Sequence, residues 1–229
     1  MTDPIAADGL NDDAAPSRAL VLHGVWNPRL MVWPVVRHLR RNGIDAAAFG
    51  YSSIFADPRS ALPHLRRTIV DRQITSLVGY SLGGVLSLLA VRDWADCPVR
   101  RVVCLGSPLN GSGTARWLQT HRCTAVLGGS AGVLCEGLIE AGDLPPGLQV
   151  GMVAGIQPLG IGRLLGAQGR RSDGTVSLRE TRWPGLADHC RVRCSHTALP
   201  AHGPALDQIR AFLITGSFGR PALPATSIG

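Results

Sequence analysis

The chain has no lysine. All 23 of its basic side chains are arginines, set against 16 acidic ones, for a net charge of +7 over 229 residues. A guanidinium fork suits phosphate and other anions, and a coding bias towards arginine produces the same usage. Aromatic residues are scarce as well, at 5%. The arginines are scattered along the chain, so the basic patches interleaved with stacking aromatics that nucleic-acid readers need are missing. Nucleic-acid binding is not expected. No apolar run comes near the roughly 18 residues a spanning helix requires, so no membrane-spanning segment is expected either. None of the six cysteines (97, 104, 123, 135, 190 and 194) stands in a CxxC pair, and no histidine–cysteine group has zinc-ligand spacing. No metal site follows from them. Residues 190 and 194 lie too far apart along one strand to bridge, and the thiols read as buried and reduced. The first 17 residues hold four aspartates and no basic side chain. That is the reverse of a secretory leader, so the stretch reads as a disordered acidic tail and the protein as cytoplasmic.

What is present is a globular composition, 45% hydrophobic and 17% charged, at a length that fits one domain. Apolar runs at 19–24, 44–51, 74–80, 99–107, 148–156 and 189–194 read as strands. Between them lie helical patterns. Positions 32, 35, 36 and 39 share one face of a helix in which Pro34 is either a kink or the true start. Asp57 and Pro58 form an N-cap and first turn for a helix reaching about residue 71. Residues 82–94 are apolar on nearly every side, 114–140 holds short helical candidates, and Pro204 opens a last helix carrying Leu206, Ile209 and Leu213. Strands alternating with helices predict an α/β fold, with a mostly parallel central sheet, helices on both faces, and any site at the carboxyl ends of the strands. The domain is expected over 18–216, with a short lid-like insertion at 112–140 and a tail over 217–229.

One stretch carries chemistry. Gly79-Tyr80-Ser81-Leu82-Gly83 matches G-x-S-x-G, with a β-branched apolar strand running in and an apolar helix running out. A sharp strand-to-helix turn lifts a serine hydroxyl clear of the sheet, and side chains two residues to either side would collide. A nucleophilic serine needs a base, and the base needs an orienting carboxylate; in this arrangement they follow in the order serine, acid, histidine. His196 lies just past the last strand, on the same sheet edge as Ser81, with His202 as the alternative. His189 begins that strand at the opposite edge, and His121 lies in the helical insertion. Asp173 sits in a polar loop after the preceding strand, whereas Asp143 and Asp188 precede strands. Arg170 and Arg171 are placed to keep Asp173 ionised if they lie close. The tetrahedral intermediate needs two N–H donors: the backbone of Leu82, directly after the serine, and of Val25, in the loop after the first strand. His23 reads as shaping that loop.

These pieces resemble the α/β-hydrolase superfamily, in particular its small bacterial lipases and esterases. VLHGVW, LVGYSLGG, VVCLGSPLNGSGTA, SDGTV and VRCSHTAL…QIRAFLITG carry the resemblance, over nearly all of residues 18 to about 216. It implies Ser81 as nucleophile, Asp173 as acid and His196 as base, with Val25 and Leu82 as the oxyanion hole. The implied reaction is hydrolysis of a small acyl ester through an acyl-enzyme, with no metal or organic cofactor. Trp26, Leu109 and Trp117 are candidates to line an acyl pocket, helical core being the other reading. Tyr80 stands where many such lipases have histidine, and the short, glycine-rich 112–140 segment leaves room for a small lid at most. An acyltransferase or thioesterase of the same fold stays open, as does a non-catalytic scaffold that binds a ligand.

Overall fold

The computed structural model describes residues 17–26, 29–136, 144–159 and 171–219. All but one residue of the expected N-terminal tail lies outside them, as do 220–229 of the expected C-terminal one.

Each expected strand is found, all but β3 ending earlier than expected: β1 (Arg18–Leu22), β2 (Asp45–Phe49), β3 (Ser76–Tyr80), β4 (Arg101–Leu105), β5 (Gln149–Gly155) and β6 (Asp188–Val192). They form one sheet in the spatial order β2-β1-β3-β4-β5-β6. Every pairing in it is parallel, so all six carboxyl ends share one edge. The trimming has a reason: the residues that follow each strand, His23 and Gly24 for instance, leave the ladder to build loops at that edge.

Side chains alternate across the pleat and divide the core in two. Leu20, Leu22, Leu77, Val102, Cys104, Val150 and Met152 face α2 (Leu62–Asp71) and α3 (Leu82–Val91). Ala19, Val21, Val78, Tyr80, Val103, Leu105 and Val153 face α1 (Trp33–Arg41) and the C-terminal helix (Gly203–Thr215). α1 settles the question of Pro34. A 3₁₀ turn over Arg29–Val32 precedes it, and Pro34 lies in its first turn, where the missing N–H has no partner to lose. Its buried residues are Val35, Val36 and Leu39, as the spacing predicts. α3 is buried along almost its whole length, wedged between sheet and α2, which is why its sequence lacks a polar face.

The insertion after β4 folds as α4 (Gly113–Thr120), two 3₁₀ turns and α5 (Ala131–Cys135), and its last expected residues, 137–140, fall outside the description. The C-terminal helix completes the set as α6. Of residues 217–219, expected as the start of a tail, Phe218 is packed against the core. Its ring meets Phe212 in a tilted contact at a separation of 4.8 Å, and its N–H donates to Asp188 at 2.8 Å. An aromatic three residues past the helix finds core that its local sequence does not reveal.

The expectation of buried thiols holds for Cys97, Cys104, Cys190 and Cys194, while Cys123 is exposed and Cys135 half-buried on the insertion. Burial pushes the Cys104 and Cys190 thiols up to about 12, which suppresses the reactive thiolate. With Ellman's reagent at pH 8 the native protein is expected to release one fast equivalent, from Cys123, and a slower one from Cys135. The other four should react only in denaturant; rapid titration of three or more native thiols would contradict this packing.

Candidate active site

The parallel sheet gathers the segments that follow all six strands at one edge, and a tight turn there is at Ser81. Its backbone is held at φ 54°, ψ −118°, outside the region an L-residue prefers. The glycines around it explain how the turn is tolerated. A Cβ on Gly79 would run into the backbone of Gly84, and one on Gly84 would strike the Ser107 side chain. A Cβ on Gly83 would lie 2.5 and 2.6 Å from the carbonyl oxygens of Leu22 and His23. Sheet, helix and the loop after β1 therefore meet backbone to backbone. The Ser81 N–H donates to the Leu105 carbonyl at 2.8 Å, and the Ser81 carbonyl accepts from Gly84 at 3.1 Å.

Three sequence-selected residues meet at this point. His196 Nε2 lies 3.1 Å from Ser81 Oγ, and His196 Nδ1 lies 2.7 Å from Asp173 Oδ2. The other carboxylate oxygen accepts the N–H groups of Val176 at 2.7 Å and Thr175 at 2.9 Å. A second link is main-chain: the His196 N–H donates to the Asp173 carbonyl at 2.9 Å. Asp173 and His196 are only 1% and 6% exposed. With the carboxylate accepting at Nδ1–H, the tautomer follows, and Nε2 is the lone-pair nitrogen turned to the serine. A hydroxyl, an imidazole and a carboxylate in this series are what general-base activation of an alcohol needs. Gly106 gives the ring room. A Cβ there would lie 2.7 Å from Leu199, 3.2 Å from His196 Nδ1 and 3.3 Å from Asp173 Oδ2.

The alternatives do not join this contact. His202 is the N-cap residue of α6 but makes no side-chain capping bond. His189 meets the Thr181 hydroxyl at 3.0 Å, and His121 stacks on Trp117 at 4.1 Å. Asp188 holds the Phe218 N–H, and Asp143 lies outside the described residues. His23 shapes its loop as expected: Nδ1–H donates to the Gly24 carbonyl at 2.8 Å, the ring stacks on Tyr51 at 4.3 Å, and the Tyr51 hydroxyl donates to the His23 carbonyl at 2.6 Å. Arg170 is not among the described residues, and Arg171 is exposed. The Asp173 charge is met by backbone N–H groups and the imidazole instead. Of the expected oxyanion residues, Leu82 is the first of α3 and Val25 lies in the loop that Gly83 touches.

Of the three pocket candidates, Leu109 is packed in the core and Trp117 is half-buried on α4 against His121. Trp26 borders a cavity, with its indole N–H donating to the Val126 carbonyl at 2.5 Å. That bond ties the insertion to the loop after β1, and others tie it to the segment after β2. Gly129 N–H donates to Ile54 at 2.8 Å, Ser130 Oγ donates to the Ser53 carbonyl, and Arg59 pairs with Glu136 at 2.5 Å.

Two contributors escaped the sequence reading. Tyr80, assigned to packing, donates its hydroxyl to the His196 carbonyl at 3.1 Å and sets its ring 5.2 Å from the imidazole. Glu180 is buried and accepts the N–H groups of Ser177 at 2.5 Å and of Gly113, joining the Asp173 loop to the first turn of α4. The Ser-x-x-Glu spacing at 177–180, a capping-box signature, was the available signal. Among the described residues, no group of three or more His, Cys, Asp or Glu could hold a metal ion, and no helix is long and apolar enough to cross a membrane.

No family model matches the chain, and no curated protein matches it in sequence. Solved structures do. The mature lipase BlEst2 of Bacillus licheniformis is similar over 93% of this chain and 95% of its own, at 20% identity and a TM-score of 0.69. The RedJ thioesterase of the prodiginine pathway in Streptomyces coelicolor matches 92% of this chain and 90% of its own, at 14% identity and a TM-score of 0.54. An extracellular α/β-hydrolase from a Paenibacillus species covers 89% and is itself covered over 99%, at 12% identity and a TM-score of 0.54. The chain has the α/β-hydrolase fold.

Burial holds both His23 and His189 below the ordinary histidine value of 6.5. Each is needed neutral in the folded state, so protons favour the unfolded chain. The stabilisation is complete above pH 6.5 and is lost as pH falls below it. The urea midpoint is expected to drop between pH 7.5 and pH 5, and the double variant His23→Gln/His189→Gln should flatten that slope. An equally steep slope in the double variant would place the acid sensitivity elsewhere.

Proposed function

We propose that the protein is a serine hydrolase that cleaves carboxylic esters through an acyl-enzyme on Ser81. The observation that carries this reading is the continuous line from Ser81 Oγ to His196 Nε2 at 3.1 Å, and from Nδ1 to Asp173 at 2.7 Å. Ser81 Oγ attacks the ester carbonyl while His196 takes its proton, and Asp173 holds the ring and balances the imidazolium that forms. The N–H groups of Leu82 and Val25 are the proposed donors to the oxyanion, one of them at the positive end of α3. His196 then returns the proton to the departing alcohol. A water, deprotonated by the same nitrogen, attacks the acyl-enzyme and releases the acid.

The pinned insertion supports a substrate preference. A cover already fixed to Ile54, Ser53 and Trp26 has no closed position to leave, and its glycines 128 and 129 lie against the Ile54–Ala56 backbone rather than loosening the segment. The site is then open to water, and each methylene of a long acyl chain gains less than the roughly 0.8 kcal/mol of full burial. Short and medium chains are favoured.

A fluorophosphonate probe is expected to label Ser81, and Ser81→Ala to abolish labelling. His196→Ala and Asp173→Asn should each lower kcat by about a thousandfold or more without loss of fold. Labelling that survives Ser81→Ala would sink the nucleophile; greater damage from His202→Ala than from His196→Ala would move the base. Across p-nitrophenyl esters of rising chain length, activity should peak at short or medium chains. A jump in rate at the solubility limit would reveal a movable lid.

A further inference from the structure

Beside the loop after β1 lies a cavity of about 580 Å³ whose wall includes His23, Trp26, Arg29, Tyr51, Ser53 and Phe55. Its size suits a small-molecule site. It is not a remote hollow: His23 belongs to the loop whose carbonyls touch Gly83, two residues past Ser81. Two features of the lining call for an occupant. Trp26 is 60% exposed and Phe55 96% exposed, large aromatic surfaces left in water on opposing loops. Trp26 is nevertheless fixed, by its indole bond to Val126.

The second feature is charge. His23 is buried and held towards its neutral form, so Arg29 is the cation of this cavity. Its side chain lies across Gly50, where a Cβ would come within 2.7 Å of Cδ and 2.8 Å of Nε. The missing side chain at 50 thus sets where the guanidinium stands. Glu136 pairs with Arg59 at 2.5 Å, and Asp57 lies 4.0 Å from the same guanidinium while accepting the Arg59 N–H. Among the described residues no carboxylate pairs with Arg29. An unpaired guanidinium on the wall of a cavity that Trp26 and Phe55 also line suits an anion on an apolar stem.

We infer that this cavity is the substrate-recognition pocket, and that it takes esters bearing an anionic group, with the apolar stem between Trp26 and Phe55 and the anion at Arg29. The inference rests on Ser81 being the ester-cleaving serine, but the pocket can be tested without turnover. Kinetically, mono-p-nitrophenyl succinate against p-nitrophenyl butyrate places the anion on the acyl side. Butyrate esters of 4-hydroxybenzoate against those of phenol place it on the alcohol side. In one of these arms Arg29→Ala is expected to lower the anionic-to-neutral ratio of kcat/KM by about fivefold, the scale of one solvent-facing ion pair. Arg29→Glu should lower it further, and 0.5 M NaCl should shrink the wild-type ratio. Ratios unchanged within twofold in both arms would overturn the inference. Independently, 4-phenylbutyrate titrated into the Ser81→Ala protein should quench tryptophan fluorescence more strongly than 4-phenylbutyramide. The difference should vanish in Arg29→Ala/Ser81→Ala, and the quench itself in Trp26→Phe/Ser81→Ala. Equal binding of acid and amide would also overturn it. Selective binding in a protein that cleaves no ester would uphold the pocket and remove the hydrolase reading alone.

Discussion

At the carboxyl edge of the sheet, strand β3 and helix α3 approach so closely that neither Gly79 nor Gly84 has space for a single further carbon. Everything else in the site takes its position from that contact. It forces the chain to reverse within one residue, which leaves Ser81 at a positive φ and its hydroxyl above the sheet. It sets the first turn of α3 against the carbonyls of Leu22 and His23, bringing the loop after β1 alongside. It also leaves the Ser81 N–H facing Leu105, so the end of β4 is tied to the same turn. The register of four adjacent parallel strands then delivers the remaining loops to one place without any of them being long.

The loop that carries Asp173 solves a different problem. Burying a carboxylate costs several kcal/mol unless its lone pairs are met. Asp173 meets two backbone N–H groups and an imidazole, and hydrogen bonds to charged groups contribute about 1.5–3 kcal/mol each, so the two sides are of comparable size. Glu180 repeats the device a few residues on, with N–H groups from its own loop and from α4. Two buried carboxylates thereby hold one loop to two neighbours, and neither uses an arginine to do it. In a chain of this charge, that keeps the guanidinium groups for the surface.

How far these features were legible follows from the range of the contacts involved. The strands were legible because a buried parallel strand is an apolar run, and α1 and α2 because their stripes recur at helical spacing. Ser81 was legible because its constraint acts within six residues, and Asp173 and His196 because chain order and sheet edge left few candidates. Tyr80 was misjudged since its hydroxyl partner lies 116 positions away. Leu109 and Trp117 are apolar residues next to a site in sequence, and nothing local tells core from pocket. Glycines 128 and 129 are points of close backbone contact, which only the facing loop reveals. Phe218 looked like tail for want of any local sign that Phe212 and Asp188 would receive it.

Gly106 stands where a side chain would press on Leu199, His196 and Asp173 together. Its consequence is one of evolvability. The imidazole is confined by a vacancy, and a vacancy is removed by any missense change at that codon. A single methyl there would need Leu199 to move and would crowd the contact between His196 and Asp173, at a backbone φ of 58° that strains any side chain. The fold thus carries, one codon away from its present form, a version of itself with every polar residue of the site retained and the contact between two of them under pressure.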